Sequence, residues 1–177
     1  MKNKLIIFLG ILFTYLTMAF NEVKHKEFLV SEFTESYLIN NPKTLELNSI
    51  TIYTSGWTIY PPNNEMPVDP VYYDLPVFIK NFKFLETLTL SGIFITHLPN
   101  ELQALPKLKY VAICLHRKSN VEDICTVLQQ IKNLKTINLT GSIISDEVYD
   151  KIKKTLPKVH ISDLNRNMHD KVDANEN

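Results

Sequence analysis

The sequence predicts an α/β solenoid, a fold in which short strand-turn-return units repeat along the chain and stack on one another. Three observations lead to this prediction. An LxxLxL pattern typical of a strand occurs five times, the residues after it share Gly and Leu-Pro positions, and the residues before it carry apolar side chains at constant offsets. One such unit cannot bury its own apolar face, so neighbouring units must stack to form a core.

The strand half of each unit is the most regular part of the sequence. The pattern begins at Leu47, Leu85, Leu108, Leu134 and Leu156, and all fifteen of its apolar positions are Leu, Ile or Val. These three residue types make up 51 of the 177 residues, so chance would fill fewer than a third of the positions. Alternation places the apolar side chains on one face of a strand.

The return half of each unit has the spacing of a short helix or helical turn. Apolar residues stand ten, six and three positions before the next strand pattern in three of the units. They are Leu75, Ile79 and Phe82; Leu98, Leu102 and Leu105; and Ile124, Leu128 and Ile131. In the last unit, Ser145 is a candidate N-cap ahead of Asp146 and Glu147, which predicts a true helix there.

The stretch LETLTLSGIFITHLP resembles the consensus of the leucine-rich repeat family, LxxLxLxxN followed by LP, and the resemblance extends from Leu47 to Ser162. It implies a short array of about five parallel strands on the concave face of a curved solenoid, with short helices or turns on the convex face. The turn Asn of the family is absent, so other groups must stabilise the bend. The residues at its position are Ser55, Ile93, His116 and Ser142.

The segments that flank the repeats have different compositions. Residues 1–19 place Lys2 and Lys4 ahead of an apolar run, as in a secretory signal peptide, so we expect an exported protein; an uncleaved anchor is the alternative. Residues 20–46 are predicted to cap the first repeat, and residues 163–177 to form a polar tail.

The first repeat is 38 residues long and its neighbour 23, and the surplus is an insertion at about residues 61–74. Its four Pro and the adjacent Tyr72 and Tyr73 favour an extended loop. Such a loop is either a binding element or a cover for the open edge near the first strand, and the sequence leaves both readings open.

The composition argues against several classes of function. Lys plus Arg and Asp plus Glu each number 19, so the formal net charge is zero and no global field would attract nucleic acid or an anionic membrane. The five His are scattered and no CxxC pair exists, so neither a metal nor another cofactor is expected. Cys114 and Cys125 are expected to be free thiols because they fall on opposite sides of the coil. Trp57 is predicted to lie in the core.

The residues between the inward-pointing aliphatics should face the concavity and form a candidate partner-binding surface. The candidates are Thr51, Tyr53, Thr87, Thr89, Tyr110, Asn138, Thr140 and His160. A small, mildly polar face with aromatic anchors suits noncovalent docking of a protein or peptide. The alternative is a solvated sheet face without a partner, because Thr is simply a good strand residue. Cys114 is expected on the same face.

An enzyme is the competing class, and the sequence contains no GxSxG, HExxH or phosphate-cradling Gly loop. We therefore expect a recognition module rather than an enzyme. An unrecognised site could still form if His97, His116 and His160, which lie on different repeats, converged. A third possibility is a structural protein that self-associates through uncovered strand edges.

Overall fold

Strands and short helical segments alternate along residues 23–55 and 70–164, which are the residues that the computed structural model describes. In chain order the elements are β1 (His25–Leu29), α1 (Glu35–Asn40), a 3-10 turn (Pro42–Glu46), β2 (Ser49–Tyr53), β3 (Tyr72–Tyr73), a 3-10 turn (Val77–Asn81), β4 (Thr87–Ile95), a 3-10 turn (Asn100–Ala104), β5 (Tyr110–Cys114), α2 (Val121–Gln130), β6 (Thr136–Asn138), α3 (Asp146–Thr155) and β7 (His160–Ser162). The predicted signal segment, Trp57 and most of the insertion and of the tail lie outside the described residues.

The strands form one parallel sheet in the order β1-β2-β4-β5-β6-β7, with the short β3 paired to the far end of β4. β1, β4, β5 and β6 are each followed by a return segment that brings the chain back to the same edge of the sheet. This is the α/β solenoid that the repeat pattern predicts. No helix within the described ranges is long and apolar enough to cross a membrane.

The alternation along the strands decides which side chains form the core. In β4, Leu88 and Leu90 are 0% and 1% exposed, whereas Thr87 and Thr89 between them are half-buried on the other face. The apolar residues of the return segments, such as Ile79 and Leu102, are fully buried against this layer. Core and outer faces therefore follow the period of two that the sequence shows.

The expected number of about five strands is too low, because the predicted cap contains a strand of its own. β1 pairs with β2 along its whole length, from His25 opposite Ser49 to Leu29 opposite Tyr53. Its LxxLxL pattern is hidden because Lys26 stands where β2 has Ile50.

The Lys26 side chain lies 5.3 Å from the Phe28 ring centroid and 4.9 Å from the Tyr37 ring centroid, and its ammonium donates to the Tyr37 hydroxyl. The apolar stem of the lysine thus covers the end of the core while its charge stays at the surface.

The pattern that begins at Leu156 is also wrong in register. Ile161 pairs with Ile137, and the amide of His160 donates to the carbonyl of Lys135 at 2.8 Å, so the strand is shifted by two residues from the LxxLxL alignment. A shift of two keeps every side chain on its predicted face. It also places Asp163, which was assigned to the tail, next in line after Ser162, and Asp163 is 2% exposed.

Serine side chains stabilise the bends at or near the position where the leucine-rich repeat consensus has Asn. The hydroxyl of Ser142 accepts a 2.9 Å hydrogen bond from the buried Leu115 amide of the preceding repeat. One repeat earlier, Ser119 accepts from the His116 amide at 2.9 Å and donates to the Ile95 carbonyl at 2.5 Å. Both hydroxyls join consecutive turns, so they satisfy backbone groups that would otherwise be buried without partners.

The return segments differ along the array. The two that precede β4 and β5 are single 3-10 turns of five residues, whereas α2 and α3 are ten-residue helices. The Ser145 hydroxyl caps α3 by accepting from the Val148 amide at 3.4 Å, which confirms the predicted helix and its N-cap. The side chain of Asn120 caps α2 in the same way.

Candidate binding face

The face of the sheet opposite the core presents its side chains in aligned rows, because the strands are parallel and in register. We call the first two rows the strand face. The first row is His25, Ser49, Thr87, Tyr110, Thr136 and His160, and the second is Glu27, Thr51, Thr89, Ala112, Asn138 and Ser162. Six strands about 4.8 Å apart make the strand face about 24 Å wide.

The candidate residues of the sequence analysis all lie on or beside this surface. Thr51, Thr87, Thr89, Tyr110, Asn138 and His160 belong to the two rows. Tyr53 lies one row further along β2, two residues after Thr51 and between Leu29 and Ser91 of the neighbouring strands, and is half-buried. Thr140 follows β6 and accepts from the Leu164 amide at 3.1 Å, so it stabilises the end of the array.

The centre of the strand face carries no formal charge. β2, β4, β5 and β6 contribute only hydroxyl, amide, methyl and phenol groups to it, although 21% of the chain is charged. Glu27 and the two histidines, His25 and His160, lie on the outermost strands. A partner on the central strands would therefore be bound by hydrogen bonds and apolar contact rather than by ion pairs.

Two residues of the strand face are held by a local network. The Asn138 side chain donates to the Tyr110 hydroxyl at 3.0 Å and accepts from the Thr140 amide at 2.8 Å. The Asn138 side chain thus stabilises the turn after β6 and orients the phenol of Tyr110 on the neighbouring strand. Of this pair, Tyr110 offers the larger half-buried surface for contact with a partner.

A buried aromatic cluster covers the outer face of the sheet at the C-terminal ends of β4 and β5. Gly92 has φ 68°, in the left-handed region, and the pairing of β4 with β5 shifts after it so that Phe94 lies opposite Cys114. The Phe94 ring packs against His116 at a centroid distance of 5.2 Å and against Tyr72 at 6.0 Å. Cys114 lies on the same face as Tyr110 and Ala112, but this cluster covers it and leaves it only 3% exposed, so it offers no surface to a partner.

Tyr72 connects the end of the insertion to this cluster. Its hydroxyl is 3.0 Å from Nδ1 of His116, and the Lys118 ammonium lies 4.6 Å from its ring centroid. Burial, followed by the charges of Arg117 and Lys118, lowers the pKa of His116 below its ordinary value. The neutral imidazole is therefore the form that suits this contact.

The residues after Tyr72 also hold the end of the insertion against β4 and the turn that follows it. β3 pairs with β4 at Phe94 and Ile95, and burial raises the pKa of Tyr73 to about 12. The Asp74 carboxylate accepts from the Thr96 hydroxyl and from the His97 amide, the latter at 3.2 Å. This end of the insertion thus covers β4 and β5, and not the edge near β1, where β1 itself covers β2.

The three histidines do not form one site. His116 is buried beside Tyr72, His160 is exposed at the edge of the strand face, and His97 is exposed with its Nδ1 3.6 Å from Asp74. A shallow depression borders His97, but its carboxylate, Asp123, already accepts from the Asn120 amide group at 2.5 Å. No group of His, Cys, Asp and Glu within the described part of the chain is arranged to hold a metal ion.

Neither cysteine forms a disulfide, and both are buried. Burial raises the pKa of the Cys125 thiol, an effect opposed by the charge of Lys151. A raised pKa keeps this thiol protonated at neutral pH and therefore unreactive.

No protein-family model matches the chain, and no curated protein matches it. Among solved structures, it is similar to a leucine-rich repeat protein of Leptospira interrogans, with 25% sequence identity and a TM-score of 0.42. The match covers 66% of this chain and 25% of that protein, so the chain spans about a quarter of its length.

Proposed function

We propose that the protein is an exported recognition module that binds a protein or peptide noncovalently through the strand face. The observation that carries the proposal is the uncharged, register-aligned surface of β2, β4, β5 and β6, with Tyr53 and Tyr110 as aromatic anchors. Half-buried tyrosines supply large contact areas at low entropic cost and are enriched in binding hot spots.

The dimensions of the strand face fit an extended peptide. A chain that crosses all six strands would place about seven residues over the face, at about 3.3 Å per residue. Hydroxyl groups on both rows can donate and accept hydrogen bonds, so they can pair with the main chain of such a peptide. The partner segment is expected to be polar and uncharged, because a buried charge would find no counter-charge at the centre of the face.

A lysine placed on the strand face tests the location of binding. Thr89→Lys puts an unpaired charge in the second row, and Gln103→Lys adds the same charge at an exposed position of a return turn. We expect Thr89→Lys to weaken capture of partners from the exported fraction of the host and Gln103→Lys to have no effect. Loss of binding in both variants, or in neither, would contradict a site on the strand face.

The dependence on salt tests the chemistry of the interface. Once a partner is purified, its affinity should change little between low salt and about 1 M salt, where the Debye length is roughly 3 Å. Tyr53→Ala and Tyr110→Ala should each weaken binding by roughly tenfold or more, as expected for hot-spot aromatics. A strong loss of affinity with salt would show that charged groups elsewhere on the protein make the contact.

Fractionation of the host tests export separately. We expect the chain in the secreted or cell-envelope fraction, shortened near residue 19 if the signal is cleaved. A full-length chain in the cytosol would contradict this part of the proposal and leave the strand face as a site for a cytosolic partner.

A further inference from the structure

The chain has no net charge, but its charges are distributed unevenly between two edges of the sheet, the edge where the strands begin and the edge where they end. The strands are parallel, so the turns that enter β4, β5, β6 and β7 lie at one edge, and the two ten-residue helices α2 and α3 begin at the other. The turns that enter β4, β5, β6 and β7 carry six exposed lysines, which we call the lysine edge. They are Lys83, Lys107, Lys109, Lys132, Lys135 and Lys158.

These lysines come from adjacent turns and lie close together. The Lys109 amide donates to the Glu86 carbonyl at 2.9 Å, and the Lys135 amide donates to the Lys109 carbonyl at 2.8 Å, so the turns are joined at the spacing of neighbouring strands. Four strands at about 4.8 Å per step extend over about 15 Å. Six ammonium groups therefore project from an edge that is less than two Debye lengths long at physiological salt.

Little within the chain neutralises this edge. Only Lys109 has a carboxylate partner among the described residues, Glu86 at 2.8 Å. Lys83 approaches the Ala104 carbonyl at 3.5 Å, and Lys107 lies over the Phe84 ring at 5.0 Å. The edge thus has a net charge of about +5, counted as six lysines less Glu86.

Three carboxylates at the opposite edge are engaged within the chain. Glu122 at the start of α2 pairs with Lys151 at 2.5 Å, and this interaction lowers its pKa. Asp74 and Asp123 accept hydrogen bonds from neighbouring residues of the chain. The two edges are about 16 Å apart along a five-residue strand such as β5, which exceeds the Debye length of about 8 Å, so each acts independently.

An exposed aromatic ring lies at the β4 end of the lysine edge, next to Lys107. Phe84 is 51% exposed, although the residues beside it in the turn, Phe82 and Leu85, are fully buried. An exposed apolar ring among cationic side chains is the composition of surfaces that lie at a lipid interface, where the ring enters the headgroup region and the lysines contact anionic lipids.

We propose that the lysine edge is a docking surface for an anionic lipid bilayer, with Phe84 at the headgroup level. Lysines without arginine suit the diffuse charge of a lipid surface better than the bidentate recognition of individual phosphates. A second copy of the chain is a poorer occupant, because its opposite edge also carries the exposed Arg117 and Lys118, whose charges would repel the lysine edge. Docking by this edge leaves the strand face accessible, so the two surfaces can be tested separately.

Sedimentation of the full chain with lipid vesicles tests the proposal. Vesicles of phosphatidylcholine alone report any contribution of the apolar N-terminal run, and vesicles that also contain phosphatidylglycerol report the electrostatic part. We expect the chain to bind the anionic vesicles at least tenfold more tightly than the neutral ones, since each lysine near the surface contributes roughly 1 kcal/mol, or about fivefold. This preference should disappear in about 1 M salt.

Charge-reversal variants locate the surface. Lys132→Glu with Lys135→Glu changes two lysines that have no ion-pair partner among the described residues. It should lower the preference for anionic vesicles by roughly tenfold or more, whereas Arg117→Glu with Lys118→Glu, an equal change of net charge at the opposite edge, should not. Phe84→Ser should weaken binding to anionic vesicles while leaving its salt dependence intact.

Several results would overturn this proposal. They are equal loss in both charge-reversal variants, no preference of the unmodified chain for anionic vesicles, and binding to a soluble polyanion but not to vesicles. Salt-sensitive oligomers of the unmodified chain without vesicle binding would instead place the lysine edge between copies.

Discussion

Removal of the Ser142 hydroxyl is the sharpest test of how this array replaces the turn Asn of the leucine-rich repeat consensus. Ser142 is 7% exposed, and its hydroxyl is the acceptor for the buried amide of Leu115 at 2.9 Å. In Ser142→Ala the side chain changes by a single oxygen, so almost the whole effect comes from the amide that loses its partner.

An unsatisfied buried donor costs roughly 1 to 3 kcal/mol, and we take about 2 kcal/mol for this bond between two turns. For a chain of this size, that loss corresponds to a fall in Tm of about 4 to 8 °C. Urea unfolding gives the change in free energy, and amide hydrogen exchange shows whether Leu115 in particular exchanges faster. Ser31→Ala, the same chemical change at an exposed turn residue, is the control.

A Ser142→Ala protein as stable as the unmodified chain, with unchanged exchange at Leu115, would refute the reasoning. The amide would then have another acceptor, such as water, and the bend would not depend on the serine. A loss in the Ser31→Ala control equal to that in Ser142→Ala would show that the effect is not specific to the buried bond.

Three further predictions follow from burial and titration. Ile137 is 0% exposed, so Ile137→Ala should lower the free energy of unfolding by roughly 2 to 5 kcal/mol in urea titrations, and a neutral effect would contradict the repeat register. The raised pKa of Tyr73, about 12, means that its contribution to stability is present below pH 10 and is lost as the pH rises through 12; Tyr73→Phe should remove this loss in alkaline unfolding curves. The lowered pKa of His116 means that its contribution is present above the ordinary value of 6.5 and is lost as the pH falls through the lower value; NMR titration of the imidazole should show the shift, and a pKa at or above 6.5 would contradict burial of the neutral ring.

The strand pattern was sufficient to predict the core because the inside-outside alternation of a strand is a local property. Leu88, Val111 and Ile137 were assigned to one buried row from their spacing, and the sheet pairs them in that row. The serine N-cap of α3 was predictable for the same reason, since a cap depends only on the three residues that follow it.

The errors concern residues whose environment comes from distant parts of the chain. β1 was missed because Lys26 stands where the other strands have an aliphatic residue. The apolar part of the Lys26 side chain fits this position because it packs against the rings of Tyr37 and Phe28. The face of Cys114 follows from the alternation along β5, but its burial there was missed, because Phe94 and the aromatic cluster behind Gly92 cover it. The register of β7 was shifted by two residues, because periodicity fixes the face of a strand but not its position along the neighbour.

The sequence by itself therefore determined the class of fold, the buried row of each central strand and the residues that face outward from it. Local spacing decides these features, and they hold whatever the distant segments do. Only the tertiary structure decided which serines join the turns, that Tyr72 closes the face, and that an electrically neutral chain gathers its lysines at one edge. Those properties depend on distances between residues that are far apart in sequence, and parallel stacking of the repeats sets these distances.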